Sequence, residues 1–439
     1  RGTVYDREGN ELALSVEAAS LYAHPGQIPD PRATAGRIAP LIHERERELE
    51  ERLRKKEPFV WIKRKIDPGL AAEVTALDLP GVGRIPETRR YYPARELAGH
   101  LIGFSGTDGQ GLEGLELAFD DFLRGQEHRL MGMRDALGRV FAVERHVPTG
   151  DKPHDLILTI DKQIQYKAQQ ALRETVRSFK AKAGQCLVMN PKTGEVLAMA
   201  VAPEFNPNVF SKYDPSQWRN RTVADCYEPG STIKAFLLAA ALEEGAVAPE
   251  TRFSCEQGQY QVGGHIIHDT HEHGRLTVRD IVVQSSNIGA VKIGEKLGYR
   301  TFYEYLKRFG FADRTGIGLP GEREGFIRDP ERARKIDQAN LYFGQGMTTT
   351  SLQLAVAMGA IANGGLLMRP YVVERVVDQA GEVARQNRPQ IVRRVLSEKT
   401  ANQVARILEG VVGEEGTAPK AAISGFRVAG KTGTSQKVD

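Results

Sequence analysis

Apolar and polar side chains alternate along the first stretch of the chain. The run RGTVYDREGNELALS alternates around the polar turn REGN and predicts a β-hairpin. The run IHERERELEERLRKKE places opposite charges four residues apart, which is typical of a solvent-exposed helix. Another helix is expected to begin near Glu113. We therefore interpret residues 1–150 as a mixed, loop-rich domain.

Helical and strand-like patterns alternate after a cluster of Pro, Gly and Asp in VPTGDKPHD, which separates domain 1–150 from domain 151–439. The run LILTI predicts a strand, and Asp161 is the expected N-cap of the next helix. Helical patterns follow in STIKAFLLAAALEEGAV, LTVRDIVVQSSNIGAVKIGEKLG, TSLQLAVAMGAIANGG and SEKTANQVARILEGVVG. The run GFRVAGKTGTSQ alternates and predicts a strand. Helices between strands favour an α+β (α/β-like) fold class.

Composition changes this picture mainly by exclusion. The 439 residues carry a net charge of +4, too small for so long a chain to indicate nucleic-acid binding. Three cysteines without a Cys-x-x-Cys pair exclude a full disulfide framework and do not favour a zinc site. The longest apolar run, residues 235–242, is far shorter than the ~20 residues of a membrane-spanning helix. Because the sequence begins at Arg1 without Met, we interpret it as part of a longer protein.

The tripeptide Lys-Thr-Gly occurs twice, in different surroundings. Residues 192–194 stand between the short apolar runs GQCLVMN and EVLAMAV. Pro191 presets φ early in a turn and Gly194 can take the positive φ that closes it, so this copy predicts a hairpin turn. Residues 431–433 lie in the predicted C-terminal strand and precede Thr434. The second copy is therefore the candidate for chemistry.

Ser231 and Lys234 form a candidate nucleophile and base. They stand three residues apart at the start of a predicted apolar helix, so both side chains project from one face. Serine attacks well only when a base takes its proton, and a lysine with its ordinary pKa of about 10.4 is almost fully protonated at pH 7. Burial and a second nearby cation both lower the pKa of a lysine. Lys431 is the candidate for that second cation.

Three motifs in a fixed order carry a resemblance to a known family. Ser285 and Asn287 lie on one short stretch, Ser285 being 54 residues after Ser231, and Lys431 follows Ser231 by 200 residues. Ser-x-x-Lys, Ser-x-Asn and Lys-Thr-Gly in this order resemble the penicillin-binding, serine-active transpeptidases. The runs QSSNIGA, LPGERE, VAGKTGTSQK, RGTVYDREGNELA and GLEGLELAFDDFLRG are similar to class B penicillin-binding proteins. The run RNRTVADCYEPGSTIK is more similar to the division type (penicillin-binding protein 3, FtsI-like) than to the elongation type.

The resemblance implies a fold and a function. The expected fold is a serine β-lactamase/transpeptidase-like domain, an antiparallel sheet flanked by helices, preceded by an elongated mixed pedestal of the dimerisation type at residues 1–150. In the family, further strands and a closing helix follow Lys-Thr-Gly, whereas this sequence ends six residues after Gly433, so domain 151–439 is expected to be C-terminally truncated. The expected function is a peptidoglycan D,D-transpeptidase that cross-links stem peptides through a serine acyl-enzyme during septal cell-wall synthesis and is a target of β-lactams.

Three alternatives to this function stay open. The first is an elongation- or sporulation-type class B transpeptidase, since the sporulation type shares most of these features. The second is a sensor or scaffold module that binds β-lactams without turnover. The third, a β-lactamase, is disfavoured because no Glu-x-x-x-Asn stands where that family has it between Ser285 and Lys431, and because the long first domain is foreign to it.

The resemblance also implies a catalytic role for five residues. Ser231 would attack the D-Ala-D-Ala stem peptide and form the acyl-enzyme, and Lys234 would accept its proton. Ser285 would relay a proton toward the leaving amine. Asn287 would orient Lys234 and bind the substrate amide, and Lys431 would help to hold Lys234 neutral.

Substrate binding is implied for the residues around the second Lys-Thr-Gly. The Thr432 and Thr434 hydroxyls would hold the terminal carboxylate, and Gly433 would allow close backbone approach. The backbone N–H groups of Ser231 and Thr434 would form the oxyanion hole. No cofactor or metal is implied. Expected partners are peptidoglycan stem peptides, β-lactams and division-complex membrane proteins including a lipid II glycosyltransferase; an N-terminal helix outside this sequence would anchor the protein in the bacterial cytoplasmic membrane, with the catalytic domain facing the periplasm or cell exterior.

Other conspicuous residues have structural interpretations. His265, His268, His271 and His273 fall within nine residues, and a turn-rich segment explains them as well as a metal site does. Cys226 is interpreted as a small packing residue. A structural role is also expected for six residues of the first domain: Arg89, Arg90, Tyr91, Tyr92, Glu113 and Glu116.

Overall fold

The computed structural model describes residues 1–125, 132–134, 140–142 and 152–435. Most of the predicted boundary at VPTGDKPHD lies outside these ranges, so the division at residue 150 stays a prediction. Within the described ranges, no helix combines the length and the apolar character that crossing a bilayer requires.

The first part of the chain builds a small sheet with helices against it. The predicted hairpin is confirmed: Val4 pairs with Ala13 in an antiparallel ladder. Both later strands of this part also pair antiparallel with the long second strand. The charge-dense helix is confirmed as α2. In chain order the elements are β1 (Val4–Tyr5), β2 (Glu11–Ala23), α1 (Pro31–Ile42), α2 (Glu46–Leu53), β3 (Val60–Ile66), α3 (Pro68–Thr75) and β4 (Val82–Tyr91). Buried side chains of these elements, between residues 19 and 74, form a core of their own.

A buried ion-pair cluster fixes the end of this part. The fully buried Glu116 carboxylate accepts from Arg90 Nε at 2.6 Å and from Arg1 Nε at 2.5 Å. The structural role of Arg90 and Glu116 is therefore confirmed, whereas Arg89 and Tyr91 are exposed because successive side chains of a strand point to opposite faces. The elements here are α4 (Gly99–Ile102), α5 (Gly114–Ala118), which begins directly after Glu113 as predicted, α6 (Asp120–Arg124), β5 (Gly132–Arg134) and β6 (Val140–Ala142).

The second part of the chain alternates helices and short strands. Asp161 caps its first helix, as predicted, by accepting from the backbone N–H groups of Gln163 and Ile164 at 2.9 and 3.0 Å. The first half comprises β7 (Asp155–Leu158), α7 (Lys162–Ser178), β8 (Gly184–Met189), β9 (Val196–Ala202), α8 (Arg221–Ala224), α9 (Lys234–Glu243), β10 (Arg252–Ser254), β11 (Gln259–Val262), β12 (His265–His268) and β13 (Arg275–Thr277). The second half comprises α10 (Val278–Val283), α11 (Asn287–Leu297), α12 (Tyr299–Arg308), β14 (Phe326–Ile327), α13 (Lys335–Tyr342), β15 (Met347–Thr348), α14 (Ser351–Ala362), β16 (Leu366–Met368), β17 (Val373–Val377), β18 (Val383–Gln386), β19 (Ile391–Arg394) and α15 (Glu398–Val412).

One sheet joins the two parts of the chain. Its order is β18-β17-β7-β1-β2-β3, with β4 also paired to β2. The β1–β7 ladder is parallel and the other ladders are antiparallel, so this sheet is mixed rather than purely antiparallel as expected. The large core contains residues of both parts, and residues 234–241 of the apolar helix α9 lie buried. The predicted α+β class with flanking helices is confirmed.

One sequence pattern gave the wrong local structure, and one helical pattern is interrupted. The predicted C-terminal strand is not formed. Residues 422–435 adopt no helix or strand, and no strand of the described chain pairs with them. Alternation is a local property, whereas a strand also needs a hydrogen-bonding neighbour. The helical run LTVRDIVVQSSNIGAVKIGEKLG is divided between α10 and α11, with Ser285 at φ 64° in the break.

The first Lys-Thr-Gly forms the predicted turn. β8 and β9 pair antiparallel on either side of residues 190–195. Gly194 has φ 83°, and a Cβ there would lie 2.3 Å from the Arg369 carbonyl oxygen. Glycine is therefore required at this position by both conformation and space.

Candidate active site

The candidate nucleophile lies on a tight turn that leads into the buried helix. Gly230 to Ile233 form a single 3-10 turn, and Lys234 is the first residue of α9. Gly230 has φ 56°, and a Cβ there would lie 2.3 Å from the Thr434 carbonyl oxygen. This turn therefore places Ser231 directly beside the end of the second Lys-Thr-Gly segment.

Lys234 is buried, with only 1% of its surface exposed. Its Nζ donates to the Ser285 carbonyl oxygen at 2.6 Å and to Asn287 Oδ1 at 2.7 Å, and lies 3.4 Å from Ser285 Oγ. Burial holds the pKa of Lys234 well below its ordinary value, and the positive charge of Lys431 lowers it further. A neutral amine that donates these two hydrogen bonds keeps one lone pair, which can take a proton.

Ser285 lies between the two lysines. Lys431 Nζ donates to Ser285 Oγ at 2.9 Å and to the Thr432 carbonyl oxygen at 3.0 Å. Burial lowers the pKa of Lys431 to about 8, so this ammonium group stays mainly charged at neutral pH. The structure thus brings a second lysine close to the first through one shared hydroxyl.

The start of α11 positions the Ser-x-Asn motif. Ser286 is the N-cap, and its Oγ accepts from the Gly289 backbone N–H at 2.9 Å. Asn287 Nδ2 donates to the His268 carbonyl oxygen at 3.0 Å, which fixes the amide so that its oxygen faces Lys234. The side chain of Asn287 therefore ties the base to strand β12.

The second Lys-Thr-Gly packs closely against the nucleophile turn. A Cβ at Gly433 would lie 2.6 Å from the Pro229 carbonyl oxygen, so only glycine allows this approach. Thr432 Oγ1 lies 2.7 Å from Thr417 Oγ1, a neighbour that the sequence patterns did not indicate. The segment around Gly433 packs directly against the turn at residues 229–232, although it does not form the predicted strand.

A polar cavity of about 1050 Å³ opens over these groups. Ser231, Ser285, Asn287, Thr432 and Thr434 all line it. The rest of its lining comes from β12, the segment after it, and α13 with its N-cap residue; the side chains there include His265, His268, His271, Arg334 and Asp337. The cavity is therefore an open groove, suited to an extended chain more than to a small enclosed ligand.

All eight predicted site residues fall in this one region. The five catalytic candidates and the three binding candidates come from three separate stretches of sequence, around residues 231, 285 and 431. The roles assigned to them stay predictions. Asp269 was missed: its carboxylate contacts the start of α11, and no pattern in the run HIIHDTHEHG distinguishes it.

Comparison with known proteins identifies the family. Residues 184–439 match the penicillin-binding protein transpeptidase domain, and residues 1–155 match the penicillin-binding protein dimerisation domain. The chain belongs to the penicillin-binding protein transpeptidase family. The predicted family and fold class are thereby confirmed, and so is the predicted enzyme class, a serine-type peptidoglycan D,D-transpeptidase.

Similar proteins support this membership over the whole chain. The probable peptidoglycan D,D-transpeptidase PenA of Neisseria meningitidis is 36% identical over 444 residues, which cover 100% of this chain and 74% of PenA. Stage V sporulation protein D of Bacillus subtilis is also 36% identical, covering 100% of this chain and 69% of that protein. Penicillin-binding protein 3 of Mycobacterium tuberculosis has a similar structure, with a TM-score of 0.77 at 28% identity, covering 100% of this chain and 82% of the other. Structures of that protein with aztreonam and with ampicillin match equally well.

Proposed function

We propose that this transpeptidase cross-links peptidoglycan stem peptides through an acyl-enzyme on Ser231. The observation that carries this assignment is the pair of lysines on either side of Ser285 Oγ, at 3.4 Å for Lys234 and 2.9 Å for Lys431. A buried lysine beside a second cation is the arrangement that makes an amine available as a general base near neutral pH.

Acylation begins when Ser231 Oγ attacks the carbonyl carbon between the two terminal D-alanines. The hydroxyl proton passes to the lone pair of Lys234, and the carbonyl oxygen becomes an oxyanion held by the backbone N–H groups of Ser231 and Thr434. The C–N bond then breaks, and the leaving D-Ala amine takes, through Ser285, the proton that Lys234 received from Ser231. The product is an ester on Ser231 and free D-alanine.

Deacylation transfers the acyl group from Ser231 to a second stem peptide. The amino group of a neighbouring stem peptide attacks the ester carbonyl and gives up a proton to neutral Lys234. The new amide bond forms as the ester C–O bond breaks, and the oxygen of Ser231 takes that proton back from Lys234. During both steps Thr432 and Thr434 line the groove, and the Lys431 ammonium group lies close by on Ser285 Oγ. Two hydroxyls and a nearby positive charge suit the substrate carboxylate. β-Lactams would acylate Ser231 by the same first step, with ring opening in place of departure of an amine.

Fluorescent penicillin tests the nucleophile. The wild-type protein should form a stable adduct, Ser231→Ala should form none, and Lys192→Ala should label like the wild type, because its Lys-Thr-Gly is a hairpin turn. Labelling of Ser231→Ala, or loss of labelling in Lys192→Ala alone, would overturn the assignment. An adduct lost within seconds would instead indicate a β-lactamase.

We assign the protein to septal wall synthesis, with a membrane anchor before Arg1, the catalytic domain outside the cytoplasm, and division-complex membrane proteins including a lipid II glycosyltransferase as partners. The division-type resemblance of RNRTVADCYEPGSTIK supports this. The equal identity of the sporulation relative makes a sporulation role the second candidate. Depletion in growing cells distinguishes the two: filaments without septa support the septal role, whereas normal division with defective spores would contradict it.

Cross-linking of lipid-linked precursor by the full-length protein with a glycosyltransferase tests turnover. Absence of cross-links in a protein that binds penicillin normally would indicate a sensor.

A further inference from the structure

Asp269 joins the wall of the groove to the helix that carries Asn287. It follows β12 directly, and its carboxylate accepts from Ser286 Oγ at 2.6 Å and from the Ile288 backbone N–H at 3.0 Å. It also accepts from the backbone N–H of Asn287. Its own backbone N–H donates to the Gly258 carbonyl oxygen at 3.1 Å, which holds the residue in place. The carboxylate therefore binds three donors at the first turn of α11, where the helix dipole favours a negative charge.

These contacts act on the general base through Asn287. The backbone N–H of Asn287 donates to the Asp269 carboxylate. The side-chain Nδ2 of Asn287 donates to the carbonyl oxygen of His268, the residue before Asp269, at 3.0 Å. His268 and Asp269, which are adjacent in sequence, thus hold both the side chain and the main chain of Asn287, whose Oδ1 accepts from Lys234 Nζ at 2.7 Å. The same turn presents Ser285, whose backbone has the unfavourable φ of 64° and therefore needs external support.

Asp269 also supplies negative charge near Lys234. It raises the pKa of Lys234, against the larger lowering by burial and by Lys431. The other titratable groups that line the groove are His265, His268 and His271, on β12 and just after it, and Arg334 and Asp337, at the N-cap and in the first turn of α13. Arg334 and Asp337 pair with each other at 3.0 Å, which limits their effect on the lysines.

We propose that Asp269 is a positioning residue for acylation, which holds Ser285 and Asn287 against the general base and places a negative charge near Lys234. The inference rests on the proposed function, because it assumes that neutral Lys234 takes the proton of Ser231. It gives the segment after β12 a part in the chemistry, although no group of Asp269 touches the reacting atoms.

The test compares Asp269→Asn with Asp280→Asn in the full-length protein. Asp280 is a matched control: it is a half-buried carboxylate at the start of α10 and accepts from Thr277 Oγ1 at 2.6 Å. The measured quantity is the rate constant of penicillin acylation between pH 5 and pH 9, taken from the time course of labelling. Misfolded protein lowers the final amount of labelled protein and does not change this rate constant.

Asp269→Asn keeps an oxygen for the two backbone donors and removes the charge. Because a lower pKa leaves Lys234 neutral at lower pH, the acid limb of the profile should move down by about half a pH unit or more. Asp269→Ala, which also loses the acceptors, should acylate about 100-fold more slowly. Asp280→Asn should leave the limb in place.

An acid limb that Asp269→Asn does not move, or that Asp280→Asn moves equally, would overturn the inference. The proposed function is tested separately by Ser231→Ala. If that variant loses labelling while the Asp269→Asn profile equals the wild-type profile, only the positioning role fails. If Ser231→Ala still labels, the nucleophile assignment fails as well.

Discussion

Removing the charge of Lys431 should raise the pKa of Lys234 and so lower the fraction of Lys234 that is neutral. Both Nζ atoms contact Ser285 Oγ, at 3.4 and 2.9 Å, so they lie no more than about 6.3 Å apart. At an effective dielectric constant of about 20, two unit charges at this separation repel by about 2.6 kcal/mol, equivalent to roughly two pKa units. Because water in the open groove screens part of this repulsion, we expect Lys431→Met to raise the pKa of Lys234 by less than the full repulsion would.

The assay is the saturating rate of penicillin acylation as a function of pH. A raised Lys234 pKa moves the acid limb to higher pH, and at a pH below both values the rate should fall about 10- to 100-fold. Saturating ligand separates this effect from weaker binding of the carboxylate, which changes the half-saturating concentration. Lys192→Met is the matched control, since it removes the exposed lysine of the other Lys-Thr-Gly. A lower plateau with an unmoved acid limb would refute the reasoning and leave Lys431 a role in binding alone.

Three further predictions follow from the same geometry. At sub-saturating penicillin, the rate of acylation should decline above about pH 8, because Lys431 loses the positive charge that favours the ligand carboxylate, and a profile flat to pH 10 would contradict this. Gly433→Ala should slow acylation at least tenfold, because its Cβ would meet a carbonyl oxygen at 2.6 Å, whereas Gly430→Ala, with no atom within 4 Å of the added Cβ, should match the wild type. Glu116→Gln should lower the free energy of unfolding in urea by about 3–5 kcal/mol, since it leaves two buried arginines short of a carboxylate; the exposed control Glu48→Gln should change it by less than about 1 kcal/mol.

Local features of the fold followed from the sequence where one residue type decides the geometry. Asp161 caps its helix and Gly194 closes its hairpin, because a side-chain acceptor and a positive φ act within a few residues. The parallel pairing of β1 with β7 was not predictable in this way. Val4 meets Leu156 across about 150 residues, and no local pattern encodes that register.

The candidate site shows the same limit. Its motif residues were predictable because their spacing and order match a family, and the tight turn at Gly230 and Gly433 brings them together. The C-terminal strand failed, since alternation in residues 425–436 says nothing about whether a partner strand is available. Asp269 was invisible because its importance lies in three hydrogen bonds to a helix start that is distant in sequence.

Mapping of the acylated residue tests the central claim most directly. The full-length wild-type protein is labelled with a penicillin, digested, and analysed by mass spectrometry for the modified peptide. We predict one stable adduct, on Ser231 in the segment EPGSTIK. An adduct on another residue, such as Ser285, or no adduct on protein that is correctly folded, would contradict the assignment of Ser231 as the nucleophile.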